Sequence, residues 1–555
     1  MTQDQMTSLL RQGKTSVVRD KKAVASSSHP MVTQVILDVM REGGNAADAA
    51  IAGSLFQAVV EPHMTNHAGS VNFLFWDAKE ERAYQLNSLG TLVSGLPRFL
   101  PMPEHIDPRC ACIPGFMPGL GAIYERFASR PWPELCQPAI EIAREGYTMY
   151  SFQYALLDST WKQRSYFPSS RQMFTPEGFW PNVGDRVTNE PLAQTLEALA
   201  AEGPQYFTTG RWGRRFVERG NQLGWPIKIE DMTAIPPRWQ EPFIYDHRGH
   251  QVIQSSPPEQ TGIYSRYVLG VLRELGIETL GHYTESAESL YLVAHTLRWV
   301  GNELGLLHDP KLFEVPTKQW GSDAYHRIVA QILKGSQPRV DLTEHVELTA
   351  GERALLAAEI PTSERGSGPG ANSCELSIVD PQDNWVQMLH TGQSGGIPGV
   401  VVDGVPMNGS NAWAHLRDLR AGIIGWTTGG GRIKSVTGNT LVLRDGKPWL
   451  GLGSPGWCKV GTALMLHNIL DFDMDPYQAS VLPRMFPLDD DYTLEIENRL
   501  PETVLAGMAQ SGIQIKPLNT FFWEMGSFQI SWRDRDTGRL SSSADPRRIG
   551  TADGF

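Results

Sequence analysis

The chain has 555 residues, of which 41% are hydrophobic and 20% charged, as in an ordinary globular protein with a large core. The net charge of −12 and the pI near 5.7 argue against nucleic acid as the main partner, because binding phosphates requires a basic face. No stretch approaches the roughly 20 consecutive apolar residues that span a bilayer. No membrane partner is therefore predicted.

Residues 1–22 carry charges every few positions and contain no apolar segment of signal-peptide length. We expect a mobile N-terminal arm there. The five cysteines are an odd and small number for so long a chain, which is typical of a reducing compartment and not of a disulfide framework. The sequence therefore predicts a cytoplasmic protein.

The first half of the chain is mainly helical by hydrophobic periodicity. A helix is predicted over 32–40, ended by Gly43 and Gly44, and Asn45 can cap the next one, whose alanines form a small face suited to close packing on a sheet. Two strands, 71–76 and 82–87, follow this pair of helices. Further helices are predicted over 121–146, 191–201, 212–223, 263–275, 285–305 and 322–335.

The predicted secondary structure changes from mainly helices to mainly strands after a segment that is poor in large apolar residues. That segment, about 336–372, is predicted to be a linker. Beyond it a helix is predicted over 461–470, and the strands are predicted over 375–379, 384–389, 440–443 and 449–452. Helices and strands mix throughout, which favours a layered α+β or α/β architecture.

Several long motifs occur in a fixed order along the chain. The longest is HPMVTQVILDVMREGGNAADAAIAGSLFQAVVEPHM at 29–64. It is followed by CIPGFMPGLGAIYERF (112–127), WPELCQPAIEIAREGY (132–147), SSPPEQTG (255–262), LSIVDPQDNWV (376–386), LVLRDGKPWLGLGSPG (441–456) and DFDMDPYQASVLPR (471–484). In order and spacing these motifs resemble the gamma-glutamyltransferase family and related acylases over roughly residues 23–520.

The resemblance implies an N-terminal nucleophile hydrolase with a four-layer αββα sandwich, made as one chain that cuts itself into two subunits. The family's Thr-Thr-His-aromatic-Ser-Val-Val-Asp pattern corresponds here to residues 373–380, so Ser373 occupies the position of the nucleophile. Cleavage between Asn372 and Ser373 would give a large subunit, 23–372 after the arm, and a small subunit, 373–555. Together they would form one αββα unit.

A serine hydroxyl attacks an amide only when a base removes its proton. An N-terminal serine carries that base itself, because its α-amino group titrates near pH ~8. Before cleavage the Ser373 hydroxyl would attack the Asn372 carbonyl and form an ester that water opens. Cys374 is the rival nucleophile, but as the second residue it would lack the free amine. This chemistry requires no cofactor.

The resemblance assigns three further catalytic residues. Thr391 falls where the family keeps a hydroxyl that hydrogen-bonds the nucleophile. The family holds the oxyanion with consecutive backbone N–H groups of a Gly-Ser-Pro-Gly-Gly turn, which corresponds here to residues 453–457. The N–H groups of Gly456 and Trp457 are therefore the predicted donors, and the Trp457 indole must crowd or line the pocket.

The substrate clamp is where this sequence departs from the family. The family's carboxylate-binding Arg corresponds to Asn87, its Asn beside the nucleophile to Gln393, and the first of its paired serines to Ser435. Its acidic ammonium binder falls near Asn411, where no acid is present. Arg432 could reach an anionic substrate, although a solvated loop arginine is the alternative. Without the Arg and the acid, a glutamyl zwitterion would leave charges unpaired, so a neutral acyl group, which could be aromatic, fits better.

One local pattern has the spacing of a metal site. Glu61 and His63, with His67 four residues on, could supply ligands, but Pro62 and Gly69 favour a loop and not a single helical face. No metal is predicted.

The leading hypothesis is a cytoplasmic, self-processing hydrolase of a small-molecule amide that forms an acyl-enzyme on Ser373. One alternative is an unprocessed, catalytically silent homologue that acts as a binding protein. Another is a gamma-glutamyl hydrolase or transferase with a relocated clamp. The sequence leaves open the acyl group, the leaving amine, hydrolysis against transfer, and the oligomeric state, with a homodimer compatible.

Overall fold

The structure of the chain is a computed structural model. It describes residues 10–91, 93, 111–159, 161, 165–304, 307, 314–335, 372–392, 400–407, 431–433, 436–489 and 491–555.

Two antiparallel sheets of seven strands each form the centre of the molecule. In chain order their strands are β1 Ser16–Lys21, β2 Val24–Ser27, β3 Ser70–Asp77, β4 Arg82–Ser88, β5 Arg238–Gln240, β6 Phe243–His247, β7 His250–Gln254, β8 Cys374–Val379, β9 Trp385–Thr391, β10 Thr440–Arg444, β11 Lys447–Gly453, β12 Gln529–Arg533, β13 Leu540–Ala544 and β14 Thr551–Gly554. Sheet I has the order β1-β13-β12-β11-β10-β7-β6, and sheet II has the order β14-β2-β8-β9-β3-β4-β5.

Helices cover the outer faces of both sheets. Those of eight or more residues are Pro30–Arg41, Ala46–Val60, Phe116–Phe127, Trp132–Glu145, Ser151–Ser159, Glu190–Glu202, Arg211–Gln222, Thr261–Leu275, Ala287–Glu303, Asp323–Gly335, Cys458–Leu466 and Glu502–Gln510. Within the described ranges, none of the helices combines the length and the apolar character needed to cross a bilayer.

Alternation along the strands separates three apolar layers. One lies between the sheets and includes Leu74, Trp385, Ile253 and Leu441. A second layer, on the outer face of sheet II, joins that sheet to the helices that begin at Pro30, Ala46 and Phe116, and a third joins sheet I to the helices that begin at Thr261 and Cys458. The result is the predicted αββα sandwich.

The helix Ala46–Val60 begins as its sequence predicts. The Asn45 side chain accepts hydrogen bonds from the N–H groups of Ala47 and Asp48, and Asp48 accepts one from the Asn45 N–H, which completes a capping box. The Ala46 N–H donates to Asp380, just after β8, at 2.9 Å. Every residue of the helix is buried, which explains its alanine-rich composition and fixes it against the strand that follows Ser373.

Two predicted boundaries were wrong. Residues 16–21 do not belong to a mobile arm, because they form β1 and pair with Leu540–Ala544 at the edge of sheet I. An edge strand is partly exposed, so its polar residues conceal it in the sequence. The helix predicted over 461–470 begins at Cys458 and ends at Leu466, where a π turn follows. Residues 336–371 of the predicted linker lie outside the described residues.

Candidate active site

Ser373 lies at the start of β8, the third strand of sheet II. Its φ is 128°, a backbone conformation that non-glycine residues rarely adopt. Its carbonyl oxygen accepts a hydrogen bond from the Arg548 guanidinium at 2.8 Å. The neighbouring Asn372 is buried, with 7% of its surface exposed. The residue before the predicted scissile bond is therefore buried, and the residue that follows it is strained.

The register of sheet II places Thr391 beside Ser373, the predicted nucleophile. Cys374 pairs with His390, so the next pair of positions along the two strands is Ser373 and Thr391. Thr391 in turn pairs with Ser70 and is 5% exposed. Three hydroxyl residues thus follow one another across the ends of three adjacent strands.

A tight loop supports the end of β9. The N–H of Gly392 donates to the Met64 carbonyl at 3.1 Å. A Cβ atom on Gly69 would lie 2.0 Å from the Thr391 carbonyl oxygen. Only glycine allows this approach, and it fixes the strand end that carries Thr391.

The predicted oxyanion turn follows directly after β11. Gly456 has φ 78°, and the Trp457 N–H donates to the Glu524 carbonyl at 3.3 Å. The Trp457 indole packs edge-on against Phe486 at 4.8 Å between ring centroids. For Trp457 to hold an oxyanion, its N–H must first exchange the Glu524 carbonyl for the substrate oxygen.

Of the predicted substrate residues, two lie in the described part of the chain. Asn87 is buried on β4, and its Nδ2 donates to Glu259 Oε1 at 3.4 Å. Arg432 is 3% exposed and donates to the carbonyls of Leu89 and Pro236 at 3.0 and 2.6 Å, so it is not a solvated loop arginine. The predicted residues Gln393, Asn411 and Ser435 lie outside the described residues.

Glu259 is an acid that sequence reasoning missed. It is fully buried, and burial raises its pKa to about 8, although Thr437, Asn72 and the Arg432 charge lower it in part. The only sequence signal was its place inside the SSPPEQTG motif. An acid therefore stands beside Asn87.

Glu375 is a second buried acid, two residues from Ser373 on the same face of β8. A Cβ atom on Gly453 would lie 2.1 Å from its Oε1, so the carboxyl fills the space next to the oxyanion turn. Burial raises the pKa of Glu375 well above its usual value, and the Met388 backbone opposes that rise only in part.

Cys374 faces the opposite side of β8 and is fully buried. Its Sγ donates to Glu61 Oε2 at 3.5 Å. Burial and the neighbouring Glu61 charge raise the thiol pKa well above its usual value. Because the thiolate is the reactive form, this environment disfavours Cys374 as the nucleophile.

The histidines of the rejected metal pattern have other contacts. His67 Nε2 hydrogen-bonds the Leu55 carbonyl at 3.1 Å, and burial lowers its pKa to about 4. His63 packs edge-on against Tyr150 and Phe152. Among the described residues no three His, Cys, Asp or Glu side chains are grouped to hold a metal ion.

Comparison with known proteins gives consistent matches along the whole chain. The family described as gamma-glutamyltranspeptidase matches residues 32–555. The glutathione hydrolase proenzyme of Escherichia coli is 25% identical over 96% of this chain and 91% of its own length. The acylase ACY 1 proenzyme of Pseudomonas sp. (strain SE83) is 22% identical over 89% and 87%. The crystal structure of cephalosporin acylase from Bacillus halodurans superposes with a TM-score of 0.82 at 21% identity, covering 98% of this chain and 97% of that one.

Proposed function

The chain belongs to the gamma-glutamyltranspeptidase family, and we propose that it is a self-processing amide hydrolase whose nucleophile is Ser373. The observation that carries the proposal is the strained Ser373 at the start of a central strand, with Thr391 in the adjacent position. The relatives named as proenzymes, a glutathione hydrolase and an acylase, support the same type of reaction. The products of processing would be residues 1–372 and 373–555.

In the proposed mechanism the Ser373 hydroxyl acts as a nucleophile twice, first in self-cleavage and then on the substrate. In the precursor, Ser373 Oγ attacks the Asn372 carbonyl, the C–N bond breaks, and the hydroxyl proton moves to the departing nitrogen. That step frees the α-amino group of Ser373, and water then hydrolyses the ester, which releases the Asn372 carboxylate and restores the Ser373 hydroxyl. That amine accepts the hydroxyl proton when Ser373 attacks a substrate amide, and water resolves the acyl-enzyme. No step requires a cofactor.

We propose an acyl group other than gamma-glutamyl. A glutamyl α-carboxylate needs a cationic partner, and Asn87 supplies none. Arg432 is engaged with two backbone carbonyls and lies near Glu259. In its ionised form, Glu259 would repel the α-carboxylate of a glutamyl substrate. A neutral acyl group avoids both penalties.

We propose a cytoplasmic location from the sequence. The four cysteines within the described ranges are buried free thiols, which suits the proposed cytoplasmic location. The proposed substrate is a small-molecule amide, and the two subunits come from one chain.

Gel electrophoresis under denaturing conditions tests the processing step. Purified protein should give two bands, and N-terminal sequencing of the smaller fragment should begin at Ser373. The Ser373→Ala variant should remain one chain, whereas Cys374→Ala should still cleave. A single full-length band in wild-type protein would favour the silent homologue, for which the occupied Trp457 N–H is the supporting observation.

A substrate panel tests the acyl preference on the processed enzyme. Anilides that differ only in the acyl group, one gamma-glutamyl and the others neutral aliphatic or aromatic, should be compared by kcat/KM. We expect turnover of a neutral anilide and none of the gamma-glutamyl anilide. Preference for the gamma-glutamyl anilide would show that a clamp exists elsewhere and would refute the proposed acyl group.

A further inference from the structure

The φ of Ser373 differs from every other positive φ of a non-glycine residue in the described ranges. The nine others lie between 49° and 69°, inside the left-handed helical region that such residues occasionally visit. Ser373, at 128°, lies outside that region. Such conformations persist only where the surroundings hold them, so something near Ser373 must supply that restraint.

Arg548 is the group in position to do so. It lies just before β14, which is separated from β8 by one strand of sheet II. Its Nη1 donates to the Ser373 carbonyl oxygen at 2.8 Å, across 175 positions of the chain. The residue is 2% exposed, and its guanidinium carbon lies 5.7 Å from the centre of the Trp523 ring. This bond fixes the peptide group that follows Ser373.

Glu61 lies close enough to this buried guanidinium for the two groups to interact electrostatically. Burial raises the pKa of Glu61, and the Arg548 charge opposes that rise. The Glu61 Oε2 atom accepts hydrogen bonds from Gln57 Nε2 at 2.5 Å and Ser28 Oγ at 3.3 Å. It also accepts one from the Cys374 thiol at 3.5 Å. The pair therefore holds two successive residues, Ser373 through its carbonyl and Cys374 through its side chain.

The strain can exist only before cleavage. The φ angle of Ser373 is defined by the carbonyl carbon of Asn372, so cutting the Asn372–Ser373 bond abolishes the torsion. A conformation that raises the energy of the precursor and disappears in the product favours the cut. A group that maintains it would therefore accelerate processing.

From this geometry we infer that Arg548, supported by Glu61, is a positioning residue for self-cleavage that holds Ser373 in its strained precursor conformation. The inference rests on the proposed function, since it concerns the cleavage that function requires. Arg548 takes no part in the bond changes. Its role is to fix the carbonyl of Ser373, and so the backbone from which Oγ attacks.

The test is the cleavage rate of freshly refolded or freshly translated full-length chain, followed by denaturing gel. Arg548→Met should slow cleavage by about ten- to a hundredfold, the effect of losing a buried hydrogen bond from a charged donor. Arg548→Lys should lie between that variant and wild type. In Arg548→Ala, millimolar guanidinium should restore part of the rate, which a purely structural defect would not allow.

Arg266→Met is the matched control. Arg266 is 8% exposed and pairs with Asp323 on the helices outside sheet I, away from Ser373. It should cleave at the wild-type rate. If Arg548→Met does not fold, Glu61→Gln replaces the carboxyl that interacts with Arg548 by an amide of the same shape, and it should slow cleavage to a smaller extent.

The outcomes separate this inference from the proposed function. If wild-type protein cleaves and the Arg548 and Glu61 variants cleave at the wild-type rate, the inference is overturned and the proposed function is not. Equal slowing in Arg266→Met, or no rescue by guanidinium, also overturns it, because the effect would then be general destabilisation. Wild-type protein that never cleaves overturns both proposals.

Discussion

Replacing Glu259 by glutamine should stabilise the protein at neutral pH and leave its stability nearly unchanged at pH 4.5. The unfolded carboxyl titrates near its ordinary value of 4.5, whereas burial raises the folded pKa to about 8. A carboxyl with a raised folded pKa gives its full stability below the unfolded pKa and loses it as pH rises towards the folded pKa. Glutamine does not titrate, so it avoids this loss.

The expected size follows from the two pKa values. Between pH 4.5 and pH 7 the loss is about 1.4 kcal/mol for each pH unit, or about 3 kcal/mol in total. With about 2.1 cal/mol/K of unfolding entropy per residue, the 555-residue chain would show a difference of about 3 °C in Tm. The hydrogen bond from Asn87 survives because the amide oxygen of the introduced glutamine would accept it.

Differential scanning fluorimetry from pH 4.5 to pH 8, in the uncleaved Ser373→Ala background, measures this effect. Glu177→Gln, at an exposed position, is the control for the substitution itself and should shift Tm equally at every pH. A constant difference between Glu259→Gln and its parent across the pH range would refute the assignment of Glu259 as a buried neutral acid.

Three further substitutions test the packing around the site. Gly453→Ala should lower the free energy of unfolding in urea by about 1–3 kcal/mol, because its Cβ would lie 2.1 Å from Glu375. Adding Glu375→Ala should recover most of that loss, and additive effects of the two substitutions would contradict the contact. Gly69→Ala should lose about 3 kcal/mol and slow self-cleavage, because it meets the fixed Thr391 carbonyl at 2.0 Å; wild-type cleavage on a gel would contradict this. Asp380→Ala should lower the unfolding free energy by about 3 kcal/mol, since four hydrogen bonds end on its carboxylate; an unchanged urea midpoint would count against it.

Much of the fold could be predicted because the controlling signals are local. Asn45 and Asp48 stand three positions apart, so their capping box is visible in the sequence and recurs in the structure. The strands around Leu74 and Leu376 were predictable from their short apolar runs between turn signals. The edge strand Ser16–Lys21 was not, because its pairing with Leu540–Ala544 joins opposite ends of the chain.

The candidate site likewise contains residues that the sequence predicted and contacts that it did not. Ser373 and Thr391 were located by motif and spacing, and the register of β8 with β9 puts them at adjacent positions. The sequence alone identified Asn87 as a departure from the family. Nothing in it indicated that a carboxylate oxygen of Glu259, 172 positions away, would accept a hydrogen bond from Asn87.

The sequence by itself determined the family, because the family is recognised from contiguous motifs, and the αββα architecture and the candidate nucleophile Ser373 followed from that resemblance. Only the tertiary structure decided what surrounds that residue. Folding buries Arg548 against the Ser373 carbonyl, Glu61 against Cys374, and Glu375 against Gly453. The pKa and the role of a buried charged group or carboxyl depend on the groups packed around it. Here those groups are distant in the chain.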